Sequence, residues 1–404
     1  MNEQQERIRV LGAGICSLML VLGVARFAYT PLLPLMQQQA GLGVAAAAWL
    51  AAINYAGYLS GAVVASLISD LVLKDRLYRI GLVVAVVSTA VMGLTTDLTV
   101  WALSRFVAGL ASAAGMLLGT GLILNWLIRH HHRSELGIHF SGIGLGIASC
   151  AAAVQVMSHW LDWREQWLVF TLFGALLLIP ALRWLPAPDR SMLTKSGQAM
   201  VDTPPSASFM RLLMAAYFCA GVGYVVSATF IVAIIDHLPG LSGSGTLVFL
   251  AIGVAAAPAC IVWDLIARRT GEVNALILTA LLQVVGILLP VTGDSLAAAL
   301  AGALLFGGSF IGTVSLVLTM AGRYYPTRPA KMMGKMTVAY GTAQIIAPLI
   351  TGWLAMRLGS YVGGLYLAAA VMAVGTVLLL LLKATEKRDA VARLAAIETS
   401  PQHG

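Results

Sequence analysis

Charge is what this chain has least of. Of its 404 residues only 10% are Asp, Glu, Lys or Arg, where a soluble domain carries about 25%. Hydrophobic residues make up 59%, and the mean hydropathy is +0.88. That balance excludes an ordinary soluble enzyme. Acids are scarcer than bases, 17 against 25. None of them falls in the middle of an apolar run, so no carboxylate pair is placed for acid–base chemistry. Cysteine is nearly absent, and Cys16, Cys150, Cys219 and Cys260 each stand alone in an apolar run. Their spacing offers neither a disulfide framework nor a metal site, and they read as packing residues. The chain lacks a GxGxxG after a strand, a Walker loop and an HExxH. Its loops are too short to house a nucleotide-hydrolysing domain, which excludes a pump driven by phosphate chemistry. No cofactor and no metal are expected. No cleaved leader is evident, because the first apolar run outlasts the usual core of about 7–15 residues.

What the chain has is apolar length. Twelve runs lie near 10–35, 45–69, 78–95, 98–126, 137–158, 165–185, 209–236, 246–267, 273–291, 295–320, 332–355 and 361–383. A membrane helix needs about 20 such residues. The runs are continuous rather than alternating, which selects helices over a membrane barrel. The lipid bilayer is therefore the chain's first partner. The net charge of +8 sits in short loops between the runs, a topology signal rather than a nucleic-acid one. The chain ends and the loops after even-numbered spans hold 21 Lys and Arg, and the opposite side only Arg164 and Arg357. That bias puts both termini in the cytoplasm.

The longest internal loop, 186–208, is rich in Pro and Ser and reads as a cytoplasmic linker. It joins two six-helix halves, 1–185 and 209–383, and a cytoplasmic tail follows at 384–404. The halves echo each other. Span 2 closes on Asp70 with Lys74 four residues on, and span 8 closes on Asp264 with Arg268 four residues on. Spans 5 and 11 open with Gly137 and Gly334, each followed seven residues later by Gly144 and Gly341. Parallel repeats of this kind are a transporter architecture. In the tail, Val391, Leu394 and Ile397 recur at three-residue spacing. A solvated tail is favoured there over a short interfacial helix.

These residues resemble a family. The two Asp-x-x-x-(Lys/Arg) closures are similar to the signature of loops 2–3 and 8–9 of the major facilitator superfamily. The second copy, Asp264 through Gly271, matches better; in the first, Ser66 replaces a glycine and Asp75-Arg76 intervenes. Arg105-Phe-Val-Ala-Gly109 resembles that superfamily's span-4 signature. Gly23-Val-Ala-Arg26-Phe-Ala-Tyr-Thr-Pro31-Leu-Leu-Pro34 is similar to the opening of the YbfB/YjiJ-type branch. The resemblance implies an all-α membrane protein of twelve helices in two pseudo-symmetric halves. It also implies a multi-pass transporter of the bacterial inner membrane, monomeric by habit, with no substrate fixed.

Arg26 is the residue to explain. An arginine at the centre of a membrane helix costs roughly 2.5–3.5 kcal/mol even on lenient scales. It lies about 8 residues, roughly 12 Å, below the outer end of span 1. Arg105 on span 4 and Asn54 on span 2 lie at similar depth. Tyr29 follows Arg26 by three and Tyr58 follows Asn54 by four, so each sits near its predecessor on the helix. If spans 1, 2 and 4 share a cavity, the five form a cationic, hydrogen-bonding wall. The bland reading is that Arg26 bonds to carbonyls freed near Pro31 and Pro34, and that the polar groups glue helices. In the second half, Tyr217 and Tyr224 share a stripe on span 7, and Tyr340 and Gln344 share one on span 11. Tyr224, Tyr340 and Gln344 would complete the cavity.

Asp70, Lys74, Asp264 and Arg268 lie at cytoplasmic helix ends and read as gating contacts that latch one state, with topology anchoring as the plain alternative. His130-His131-His132 lacks the geometry of a closed metal site. His139 reads as a packed neutral histidine. Asp236-His237 is the one acid–imidazole pair near an outer mouth. Together these expectations describe a secondary transporter working by alternating access on a small organic anion, most simply a carboxylate held by paired arginines. Proton symport is the natural coupling for it. The alternative is proton-driven efflux of amphipathic compounds, against which span 5 lacks the Gly-Pro pair that resembling drug antiporters show. A membrane receptor is a third reading, disfavoured by the near absence of extramembrane domains.

Overall fold

The computed structural model describes residues 3–132, 136–188, 201–293 and 295–399, without the side chains of 44 and 390–399. Among these residues all regular structure is helical. Twelve helices are long and apolar enough to cross a bilayer. They are α1 (Glu3–Ala40), α2 (Val44–Leu67), α3 (Leu71–Leu94), α4 (Leu98–Arg129), α5 (Leu136–Met157) and α6 (Trp163–Arg183). The second set is α7 (Ala207–His237), α8 (Gly245–Thr270), α9 (Glu272–Thr292), α10 (Leu296–Tyr324), α11 (Pro329–Leu358) and α12 (Val362–Thr399). Every apolar run forms one helix. The helices outlast the runs because polar residues cap them. Asp70 accepts the Val72 and Leu73 amides to start α3, and Asp97 does the same for α4 with Thr99 and Val100. Asp162 and Glu165 form a reciprocal capping box on α6. Gly41 and Gly359, at φ +68°, end α1 and α11.

The crossings are even in number, so both chain ends lie on one face, the terminal face; the other is the far face. Large apolar side chains such as Leu67, Leu94, Leu103 and Leu172 are exposed around the bundle. That is the expected surface when the solvent is lipid. Between the two sets, α5 packs along α8 and α2 along α11. The α5–α8 crossing is close enough to require glycine. A Cβ on Gly144 would stand 2.1 Å from the Ala257 nitrogen, and one on Gly253 2.4 Å from the Ala148 nitrogen.

Residues 189–200 of the expected linker lie outside the described residues, as do Arg133 and 400–404 of the tail. The described end of the linker docks on the α10–α11 turn. The Thr203 amide donates to the Tyr324 carbonyl at 2.9 Å, and Asp202 accepts from the Thr327 amide and hydroxyl. Into the tail, the backbone of α12 continues through Lys383 to Thr399 as one helix.

Two helices are not regular. In α1 the segment Met19–Phe27 is π-helical, and in α4 so is Ala114–Gly119. The Ala28 amide bonds to the Gly23 carbonyl, five residues back, at 2.9 Å. Such widened turns leave carbonyls without their usual donors and often mark functional positions. Here α4 supplies the donors. Ser112 Oγ bonds to the Val21 carbonyl at 2.7 Å. Arg105 Nη1 bonds to the Ala25 and Arg26 carbonyls at 3.2 and 3.4 Å.

Candidate functional site: one arginine among aromatic rings

The π-helical segment of α1 carries Arg26 into the interface between the two sets of helices, where the residue is 5% exposed. Its Nη2 donates to the Gln344 amide oxygen of α11 at 2.8 Å. The guanidinium lies over the rings of Tyr55 and Tyr58, 4.4 and 4.6 Å from their centroids. These are neutral partners. Among the described residues no Asp or Glu is buried, whereas Arg26, Lys74, Arg105 and Arg129 are. Arg26 is therefore stabilised by an amide dipole and ring faces, with no opposite charge within the bilayer-spanning core.

Beside it is a cavity of about 40 Å³. Arg26 and Phe27 line it from α1, Tyr58 from α2, Tyr224 from α7, Phe310 from α10, and Tyr340 and Gln344 from α11. Tyr224 stacks between Phe310 and Tyr340, with centroids 5.2 and 5.7 Å apart, and Tyr340 stacks on Tyr217 at 4.5 Å.

The structure thus gathers Arg26, Tyr58, Tyr224, Tyr340 and Gln344 around one space. Arg105, Tyr29 and Asn54 do not line it, so of the two arginines expected to form the wall only Arg26 faces this space. Arg105 is spent on the carbonyls of α1, and its face lies over the Tyr29 ring at 4.5 Å. The Tyr29 hydroxyl donates to the Ala47 carbonyl at 3.0 Å. The Asn54 amide donates to the Arg105 carbonyl at 2.8 Å, tying α2 to α4. Sequence reading misses Tyr55 and Thr229, whose hydroxyls meet at 3.0 Å across the two sets. It also misses Thr30, which donates to the Ala228 carbonyl at 3.3 Å. Tyr55 precedes the expected Tyr58 by three and shares its helix face, so the signal is present in the sequence. Together these bonds close the far face above the cavity.

The expected latches differ in detail. Asp70 is the N-cap of α3, and Lys74 beyond it is only 2% exposed, close enough to Asp70 to be attracted by it and to Arg328 and Lys331, at the start of α11, to be repelled. Asp264 and Arg268 pair at 2.5 Å one turn apart on α8, so that bond is internal to a helix. They line a terminal-face pocket of about 490 Å³ with the Glu272–Arg323 pair. An unexpected tie within the first set is Arg79, which binds Asp75 at 2.9 Å and donates to the Leu182 and Leu185 carbonyls at the end of α6.

No group of three metal-ligating side chains occurs among the described residues. His130 and His132 stack on Trp126, with centroids 4.0 and 5.6 Å away. His139 is fully buried, its Nε2 2.8 Å from the Thr120 hydroxyl. Asp236 and His237 do not act as a pair. Asp236 accepts the Gly245 amide at the start of α8, and His237 Nδ1 lies 2.7 Å from the Ala233 carbonyl.

Twelve membrane helices in two sets, with a cavity between them, are the architecture of a transporter rather than of an enzyme. The chain belongs to the family described as the uncharacterised MFS-type transporter YbfB, which it matches over residues 18–380. It is 33% identical over 97 residues to the uncharacterized MFS-type transporter YceJ of Bacillus subtilis (strain 168). That match covers 24% of this chain and 25% of the relative, so it spans about a quarter of each. In fold the chain is similar to a point mutant of the nucleoside transporter NupG. The TM-score is 0.68 at 11% identity, covering 93% of this chain and 99% of that one. It is also similar to the human organic anion transporter MFSD10 (TETRAN). There the TM-score is 0.66 at 16% identity, covering 94% and 100%.

Proposed function

We propose that this transporter moves a small organic anion, a carboxylate, across the bacterial inner membrane by alternating access. The observation that carries the reading is Arg26. A permanent cation, buried beside a cavity and without a buried acid to neutralise it, is complementary to an anionic ligand. Proton symport is the coupling that offsets the ligand's charge. The protein works as a monomer, with 1–185 and 209–383 as the two moving halves, 186–208 as a cytoplasmic linker and 384–404 as a cytoplasmic tail. Both termini face the cytoplasm, in line with the distribution of Lys and Arg. The aromatic lining of the same cavity favours a second reading, efflux of amphipathic compounds.

Ligand-induced melting shifts of detergent-purified protein separate the two. The panel holds mono- and dicarboxylates, sugars and lipophilic cations, with Arg26→Ala beside the wild type. A ligand at a hundred times its Kd adds about 2.7 kcal/mol. Stabilisation by a carboxylate that vanishes in Arg26→Ala supports the anion reading. Stabilisation by lipophilic cations, unchanged in the variant, refutes it in favour of efflux.

A further inference from the structure

The cavity constrains its ligand beyond the sign of its charge. The first constraint is the edge of Arg26. Nη2 is taken by the Gln344 oxygen at 2.8 Å, while Nε, on the same edge of the guanidinium, is buried without an acceptor among the described residues. An edge with two parallel N–H groups matches the two oxygens of a carboxylate. An amide offers one oxygen where a carboxylate offers two, so Gln344 satisfies half of the edge.

The second constraint is the count of cations. Arg26 alone lines the cavity, because Arg105 is bound to the Ala25 and Arg26 carbonyls and covered by Tyr29. A second carboxylate on the ligand would be buried with no cation to meet it, and an unpaired buried charge is expensive. That selects a monoanion.

The third constraint is the remaining wall. Phe27 and Tyr58 face it from the first six helices, and Tyr224, Phe310 and Tyr340 from the last six. Tyr224, stacked between Phe310 and Tyr340, is inclined to Tyr340 by only 25°, so the second set lines the cavity with the edges of a nearly parallel stack of rings. Aromatic pairs also pack edge to face with centroids about 4.5–7 Å apart, and a flat apolar ring entering between the sets packs against that stack in this way. The cavity, about 40 Å³, is far smaller than the roughly 300–1,000 Å³ of a formed ligand pocket. Entry therefore requires Gln344, Tyr224 and Tyr340 to draw back from Arg26. All three belong to the second set, so one movement of that set opens the space and frees the Arg26 edge.

We infer that the substrate is a monocarboxylate on a flat, apolar ring, an aromatic acid of the benzoate type, whose carboxylate takes the Arg26 edge and displaces the Gln344 oxygen. This rests on the anion reading above. The test is melting of full-length protein in detergent with benzoate, cyclohexanecarboxylate, acetate, succinate and benzamide as probes.

Benzoate stabilises the wild type with an apparent Kd at least about ten-fold below that for each of the other four. Arg26→Lys, which keeps the charge but loses the paired edge, weakens benzoate by about ten-fold. Gln344→Leu removes the competing oxygen and tightens benzoate several-fold, whereas a merely structural glutamine would leave binding unchanged or weaker. The inference is overturned, with the anion reading intact, if acetate or succinate matches benzoate and Arg26→Ala abolishes all of them. A response to lipophilic cations alone overturns both. No benzoate response at about 10 mM in folded protein overturns the aromatic assignment outright.

Discussion

Gln344→Glu tests the electrostatics of the site most directly. The substitution places a carboxylate where the amide oxygen now stands 2.8 Å from Arg26 Nη2, with both residues almost fully buried. With charge centres about 4 Å apart and an effective dielectric near 20, the gross attraction is about 4 kcal/mol. Burying the new carboxylate opposes part of that. The desolvation of Arg26 is already met in this fold, however, so the variant reverses the loss seen when one member of a buried pair is removed, about 3–5 kcal/mol. A net gain near 2–3 kcal/mol for the closed arrangement follows, roughly a 30- to 150-fold shift in its population. The assay has two arms. Melting in detergent should rise by several degrees. A cysteine introduced as Thr229→Cys at the far-face closure, with Cys16, Cys150, Cys219 and Cys260 replaced by alanine, should react with a polar thiol reagent at least ten-fold more slowly when Gln344→Glu is present, about the effect of 1.4 kcal/mol. Transport should fall with it, because the latch no longer releases. Unchanged melting together with unchanged thiol reactivity would refute the reasoning, for it would mean that Arg26 already has a counter-charge or that Gln344 is not its partner.

Other positions make sharper local tests. Lys74→Met keeps the aliphatic body of a residue that is 2% exposed and removes an ammonium repelled by Arg328 and Lys331 and attracted by Asp70; melting should rise by the equivalent of about 1–3 kcal/mol if burial and repulsion outweigh that attraction, and a fall would show that the pairing with Asp70 is structural. Gly144→Ala should destabilise by at least about 1–3 kcal/mol, since its Cβ would stand 2.1 Å from the Ala257 nitrogen, while Gly308→Ala, with nothing within 4 Å, should stay within about 0.5 kcal/mol in the same melting assay. Tyr55→Phe removes the hydroxyl contact to Thr229 and should weaken the far-face closure by about 0.5–1.5 kcal/mol, read as faster labelling of a far-face cysteine.

The helices are legible in the sequence because the bilayer leaves the backbone little choice. A continuous apolar run must satisfy its own amides, and each of the twelve runs does so as one helix. The acids at loop ends are also legible as boundaries, and Asp70, which ends span 2 in the sequence, caps α3 in the structure. The π-helical segments are not legible. Met19–Phe27 contains no residue that forbids an ordinary helix, and its register is set by donors on α4, more than 70 residues away in sequence. The same holds for the cross-set bonds of Tyr55 and Thr30, whose partners depend on how α7 packs against α1 and α2.

The roles of the two arginines show where sequence reasoning stops short of what the sequence contains. Two cations at one depth and a proline-disturbed helix end point to a shared site. On the sequence alone, Arg26 has the freed carbonyls as one alternative, and both arginines are open to the ligand. In the structure the carbonyls that take an outside donor are those of Ala25 and Arg26, and helix geometry turns the Arg26 side chain away from them. Every Cα–Cβ bond in a helix tilts toward the N-terminus, while the carbonyls point toward the C-terminus. The side chain of Arg26 therefore leans away from the carbonyls of Ala25 and Arg26 itself. A donor for them has to arrive from another helix, and Arg105 on α4 does so. Once Arg105 is committed there, Arg26 is the one cation left to line the cavity, which then holds a single positive charge. The monoanion selectivity inferred above thus depends on a backbone irregularity.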